Sequence, residues 1–150
     1  MERQWELAGF LTFLHDKGSN PFVEVETNAT LIPKPVFDRF VRHYTCSPKL
    51  SNSGMPLARR RRFDVIEAFI RDDRTVFKFV IDAQSDLKEL LRDYIEPFGI
   101  DPSRVYLMPE ATSEMELREK SRWLIEIGKE YSFLFSSRLQ VSTWNRLTGV

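Results

Sequence analysis

Cys46 is the single cysteine among the 150 residues. One thiol excludes an intramolecular disulfide, a CxxC zinc site and the thiolate set of an iron–sulfur cluster held by this chain alone. Long apolar runs are missing too. No stretch reaches the roughly 18 residues that a membrane span needs. The start, Met1-Glu2-Arg3-Gln4-Trp5-Glu6, lacks the apolar run of a signal peptide. A cytoplasmic location with no membrane contact is therefore expected. An excess of one charge is also absent: 22 basic residues balance 22 acidic ones. That removes the simplest electrostatic case for nucleic acid or a membrane surface as a partner. No internal repeat or low-complexity segment interrupts the chain.

What is present is enough for a core. Apolar residues make up 42% of the sequence and include 12 Phe and 3 Trp. Disorder does not fit that composition, and the length suits one domain, 1–150. Trp5, Leu7, Leu11 and Leu14 recur at helical spacing and predict a helix over 2–17. Short β-prone runs follow at 22–26 and 43–47. Pro35 opens a short helix between them, and 49–56 is loop. A helix is predicted over 57–71, then a strong strand over 75–81. Next comes a helix capped by Ser85, with Leu87, Leu90, Leu91, Tyr94 and Ile95 on one face. Residues 105–108 form a further strand. Ser113 and Glu116 make a capping box for a helix to about 130. A last extended segment is expected over 133–144. Strands alternating with helices give an α/β fold with a parallel sheet.

Ligands of such sheets bind at the C-terminal strand ends. Here those ends carry Glu26-Thr27-Asn28-Ala29-Thr30, then Cys46-Ser47-Pro48-Lys49-Leu50-Ser51-Asn52-Ser53-Gly54, then Asp82-Ala83-Gln84, then Met108-Pro109-Glu110-Ala111-Thr112. Each segment alone reads as an ordinary turn or strand stop. Their joint place at four successive strand ends points to a polar, hydroxyl-bearing ligand. Other features carry less. Arg59 to Arg62 cannot share one helical face and read as a solvated helix start. His15 and His43 stand apart, Cys46 reads as a small buried apolar residue, and Lys78, if inward-facing, needs Asp82 or Glu110 as a partner.

Glu26-Thr27-Asn28-Ala29-Thr30, Ser47-Pro48-Lys49-Leu50-Ser51-Asn52-Ser53-Gly54, Phe77-Lys78-Phe79-Val80, Val105-Tyr106-Leu107-Met108-Pro109-Glu110 and Ser137-Arg138-Leu139-Gln140 occur in the order seen in one family. In these stretches the chain resembles 7-carboxy-7-deazaguanine synthases, radical S-adenosylmethionine (SAM) enzymes. The resemblance covers about residues 5–150. It implies a partial parallel (βα) barrel of the radical SAM type, here lacking the first two strands. It also implies a lyase step of the queuosine and deazapurine pathway. That step converts 6-carboxy-5,6,7,8-tetrahydropterin to 7-carboxy-7-deazaguanine, with SAM, a [4Fe–4S] cluster and Mg2+ as cofactors.

The family's three-cysteine cluster motif and its glycine-rich SAM element have no counterpart here, so the sequence is expected to start part-way into the full protein. The isolated chain is then expected to be inactive. A non-catalytic nucleoside-binding remnant, half of a split enzyme and a related radical SAM branch are the other readings. By resemblance, Glu26 and Asn28 face the SAM ribose, and Ser47 and Lys49 lie beside the same cofactor. Met108 and Pro109 flank the adenine, with Glu110 near the rim. Arg138, Gln140 and the terminal Val150 face the pterin substrate. Gln140 replaces a common histidine and Ala29 a usual glycine, and no metal ligand is assigned. The edge of the first strand is expected to be covered by the first helix, a second copy in a homodimer or a companion N-terminal fragment.

Overall fold

The computed structural model describes residues 3–145. Five strands, β1 (Val23–Thr27), β2 (Val41–Cys46), β3 (Thr75–Ile81), β4 (Val105–Pro109) and β5 (Leu134–Phe135), lie side by side in chain order. Every neighbouring pair is parallel. The order decides the architecture. A doubly wound sheet reverses direction at a switch point. This one advances by one strand at each crossover, and right-handed crossovers then place the helices on one side. The result is an α/β, partly barrel-like wall whose one face is left open by the described residues.

Residue alternation gives the two faces different jobs. Along β3, Thr75, Phe77, Phe79 and Ile81 are buried, while Val76, Lys78 and Val80 are half-buried. Along β4, Val105, Leu107 and Pro109 are buried, while Tyr106 and Met108 are half-buried. The buried set packs with Ile66, Phe69, Leu87, Leu90, Tyr94 and Leu124 from the helices. Phe79 and Tyr94 meet with ring centroids 5.1 Å apart. The other set, with Glu24, Glu26, His43 and Thr45 of β1 and β2, forms an inner face lined by polar groups.

Helices α1 (Gln4–Asp16) and α2 (Pro35–Asp38) flank β1. The predicted face of α1 is corrected. Gln4 and Ala8 are its buried residues, whereas Trp5 is 62% exposed and Phe10 and Phe13 are also exposed. The Gln4 carboxamide accepts a bond from the Lys34 N–H at 2.5 Å, which anchors α1 in place of a leucine stripe.

The helix predicted over 57–71 divides into α3 (Leu57–Arg60) and α4 (Phe63–Ile70). The break follows from the arginines, which are not simply solvated. Arg60 is buried against Glu89, and Arg61 pairs with Asp93. Reaching two acids on the next helix pulls the backbone at Arg61 and Arg62 out of helical geometry. That helix is α5 (Gln84–Leu90), which passes through a π-turn (Leu91–Ile95) into α6 (Glu96–Phe98). Its N-cap is Ala83 and not Ser85. The Asp86 carboxylate accepts from the N–H groups of Asp82 and Ala83 at 2.8 and 3.0 Å, doing the work that an N-cap side chain does elsewhere.

Ser113 caps α7 (Glu114–Tyr131) as predicted, accepting from the Glu116 N–H. The segment 133–144 is not one extended run. Gly128 and Ser132 close α7. The Phe133 N–H donates to the Gly128 carbonyl at 2.9 Å, and a Cβ at Gly128 would lie 2.9 Å from the Phe133 oxygen. A two-residue strand then leads into α8 (Leu139–Trp144).

The N-terminal end of the sheet is a structural clamp. Arg104 donates to the carbonyls of Thr75, Ile70 and Asp72 at 2.8–2.9 Å, satisfying groups that the end of α4 leaves open. Arg74 bonds Asp72 and Asp38, and Asp38 accepts from the buried Tyr44 hydroxyl at 2.7 Å. The Arg74 bond holds the Asp72 carboxyl below its ordinary range.

Candidate functional site

Parallel strands place their C-terminal ends on one rim, and residues just past each strand turn over the open inner face. The β1 tip does this through Asn28 and Ala29. Ala29 takes a left-handed conformation (φ 56°) that glycine adopts more easily, and it is fully buried. The β2 tip is bonded to it, with the Ser47 N–H donating to the Thr27 carbonyl at 2.7 Å. The loop after Lys49 is pinned below. The Ser51 N–H donates to the Glu89 carboxylate at 2.9 Å. The Asn52 amide donates to the Val80 carbonyl at 3.0 Å and to Asp86 at 2.9 Å.

Glu26, Asn28, Ser47, Lys49 and Met108 line one open cavity of about 470 Å3, with Thr27, Lys78 and Val80. Lys49 and Val80 continue into a second cavity of about 350 Å3, where Glu110 and Arg138 stand. Both volumes fall within the roughly 300–1,000 Å3 of small-molecule sites. Of the ten residues given a site role by the resemblance, seven line these two adjoining spaces: Glu26, Asn28, Ser47, Lys49, Met108, Glu110 and Arg138. Pro109 is not among them. It is buried on the helix side of β4, because successive strand residues face opposite ways. Gln140 lies exposed on α8 and lines neither cavity. Val150 lies outside the described residues.

The charged groups are paired in ways that spacing did not reveal. Lys78 donates to Glu26 Oε1 at 2.9 Å, so its partner is neither Asp82 nor Glu110. Asp82 is taken by Lys120 of α7, which also donates to the Glu110 carbonyl at 2.7 Å. Glu110 pairs with Arg138 at 2.9 Å, and Arg138 also donates to the Ala111 carbonyl. Lys120 was missed because it sits mid-helix in a run of ordinary surface charges. The inner-face residues Glu24, His43, Thr45 and Tyr106 were missed as well, although they share a further cavity with Glu26 and Lys78. Polar residues alternating with apolar ones in Val-Glu-Val-Glu-Thr were the available signal.

Metal chemistry finds little here. Among the described residues no three His, Cys, Asp or Glu side chains come together as a metal-binding group. Cys46 is buried on the helix side of β2, and burial pushes its thiol pKa up, away from a ligating thiolate. No helix among the described residues is long and apolar enough to cross a membrane.

The described residues thus form a parallel sheet with a polar inner face and a rim of Glu-Thr-Asn and Ser-Pro-Lys. The chain is 33% identical over 127 residues to the 7-carboxy-7-deazaguanine synthase of Pyrobaculum aerophilum, covering 85% of this chain and 54% of that protein. It is 30% identical over 141 residues to the protein of the same name from Halobacterium salinarum, covering 81% and 53%. The chain is similar to 7-carboxy-7-deazaguanine synthases. It spans about half the length of those synthases. No protein-family model matches it.

Proposed function

We propose that this chain is the SAM-nucleoside- and substrate-binding part of a 7-carboxy-7-deazaguanine synthase-like radical SAM lyase, acting in deazapurine biosynthesis. The observation that carries the reading is the shared cavity. Four neighbouring strands each send residues into it, and Glu26, Asn28, Ser47, Lys49 and Met108 among them are ones that the resemblance assigns to the nucleoside. The similarity to curated synthases supports the same chemistry. Glu26 offers an acceptor and Asn28 a donor to a ribose diol; the Asn28 oxygen is already taken by the Thr30 hydroxyl at 2.7 Å. Met108 provides an apolar wall for the adenine. The Arg138 guanidinium suits the carboxylate of a pterin substrate, with Glu110 as its partner in the absence of substrate.

SAM, when bound, supplies the radical chemistry; the side chains here bind it and orient it. The residues present do not fit a [4Fe–4S] cluster, since one buried thiol cannot ligate it. β1 hydrogen-bonds only to β2 among the described strands, so its outer edge is open to a further strand. That edge favours completion by a companion segment or a second copy. Reconstituting the chain alone with iron and sulfide is therefore expected to give no stable [4Fe–4S] absorbance. A stable cluster in this chain would contradict the proposed division of labour.

Calorimetric titration with SAM tests the binding site. The native chain is expected to release heat on binding. Glu26→Ala is expected to weaken affinity by about tenfold or more, ~1.4 kcal/mol. Equal heats from both proteins would remove Glu26 from the site.

A further inference from the structure

We propose that Lys78 is the positioning residue of this site, holding the Glu26 carboxylate in the orientation that a ribose diol requires. The inference rests on the nucleoside reading above and adds a residue to it.

Glu26 is the last inward-facing residue of β1, an edge strand, and its side chain is 69% exposed. A free glutamate there samples several rotamers, and fixing it at the moment of binding costs affinity. Lys78 comes from β3, the central strand of the sheet, where it pairs with Tyr106 of β4 and follows Phe77, the last residue paired with β2. Phe77 and Phe79 on either side of it are fully buried. Its side chain is only 18% exposed. The stem is thus confined, and the ammonium reaches across the position of β2 to Glu26 Oε1 at 2.9 Å. The reach is diagonal: Thr45 of β2 pairs with Glu26 on one side and with Val76, two residues before Lys78, on the other. One carboxylate oxygen is held by the ammonium, and the rest of the exposed group faces the cavity shared with Asn28 and Ser47. A purely structural ion pair at such an exposed glutamate contributes little. Lys78 and Glu26 also stand at the junction of two cavities, lining both.

The test measures adenosine and 2′,3′-dideoxyadenosine affinity by calorimetry for the native chain and for Lys78→Met, Lys78→Gln, Lys78→Arg, Glu26→Gln and the double variant Glu26→Gln/Lys78→Met. Circular dichroism melts accompany each protein. The expected result is that Lys78→Met and Lys78→Gln weaken adenosine binding about five- to tenfold while the dideoxy ligand is unaffected. Lys78→Arg, which keeps the donor, restores most of the affinity. The double variant binds no worse than Glu26→Gln alone, because Lys78 acts through Glu26. Native-like adenosine affinity in both Lys78→Met and Lys78→Gln would overturn the inference and leave the nucleoside site standing. Additive losses in the double variant, or equal losses for both ligands, would also overturn it. A native chain that binds neither SAM nor adenosine would overturn the nucleoside reading and this inference together.

Discussion

Glu89→Ala is expected to lower the unfolding free energy by about 3–5 kcal/mol in a urea titration, the cost of leaving a buried ion-pair network with one sign missing. Glu89 is 5% exposed. It accepts from the Ser51 N–H and hydroxyl and pairs with Arg60, with Arg61 at 3.7 Å. Without it, Arg60 keeps a buried charge whose Nε already has no partner. The loss reaches the site as well, because Ser51 belongs to the loop that follows Lys49. The variant is therefore expected to bind SAM more weakly even where it is still folded. The pH dependence has a definite sign. Burial opposes the charged form of Glu89, but the bonds from Ser51 and then Arg60 outweigh it and hold the carboxyl below its ordinary 4.5. A group depressed in the folded state gives its full stability above the unfolded value. That stability is lost as the pH falls through the folded-state value. The native chain should lose stability through that acidic window, and Glu89→Ala should lose less. Equal acid sensitivity in both proteins would remove Glu89 from that role.

Phe79→Ala is expected to cost about 3–5 kcal/mol by emptying the centre of the core. Phe79 is fully buried on β3 and packs against Tyr94. It neighbours Lys78 in the chain but faces the other side of the sheet. Under conditions where the variant remains folded, its SAM affinity is therefore expected to stay near native. Loss of affinity out of proportion to the unfolded fraction would mean that the two faces are not independent. Together the two variants separate burial on the helix side from binding on the inner side.

The alternation of strands and helices was legible from local patterns, and so was the Ser113 cap, because each depends on residues within a few positions of one another. The break between α3 and α4 was not. Nothing local marks Arg60 and Arg61 as different from Arg59 and Arg62 until Glu89 and Asp93 arrive from another helix. The short β5 was hidden for a similar reason: Gly128 and Ser132 set a tight return that only the finished packing reveals. The site was half legible. Glu26, Asn28, Ser47, Lys49 and Met108 stood out because strand tips are where parallel sheets gather side chains. Pro109, which the resemblance places beside Met108, follows it by one residue and so faces the helix side, outside both cavities. Lys78 was noted, but its partner lies 52 residues away and two strands over, a distance that spacing cannot convey.

The most direct measurement of the central claim is a two-dimensional NMR titration of the native chain with SAM. Shifts concentrated on the amides of Asn28, Ser47, Lys49 and Met108, with the Arg104 end of the sheet silent, are the predicted result. Shifts centred at the Arg104 end, or no saturable shift at any amide, would contradict it.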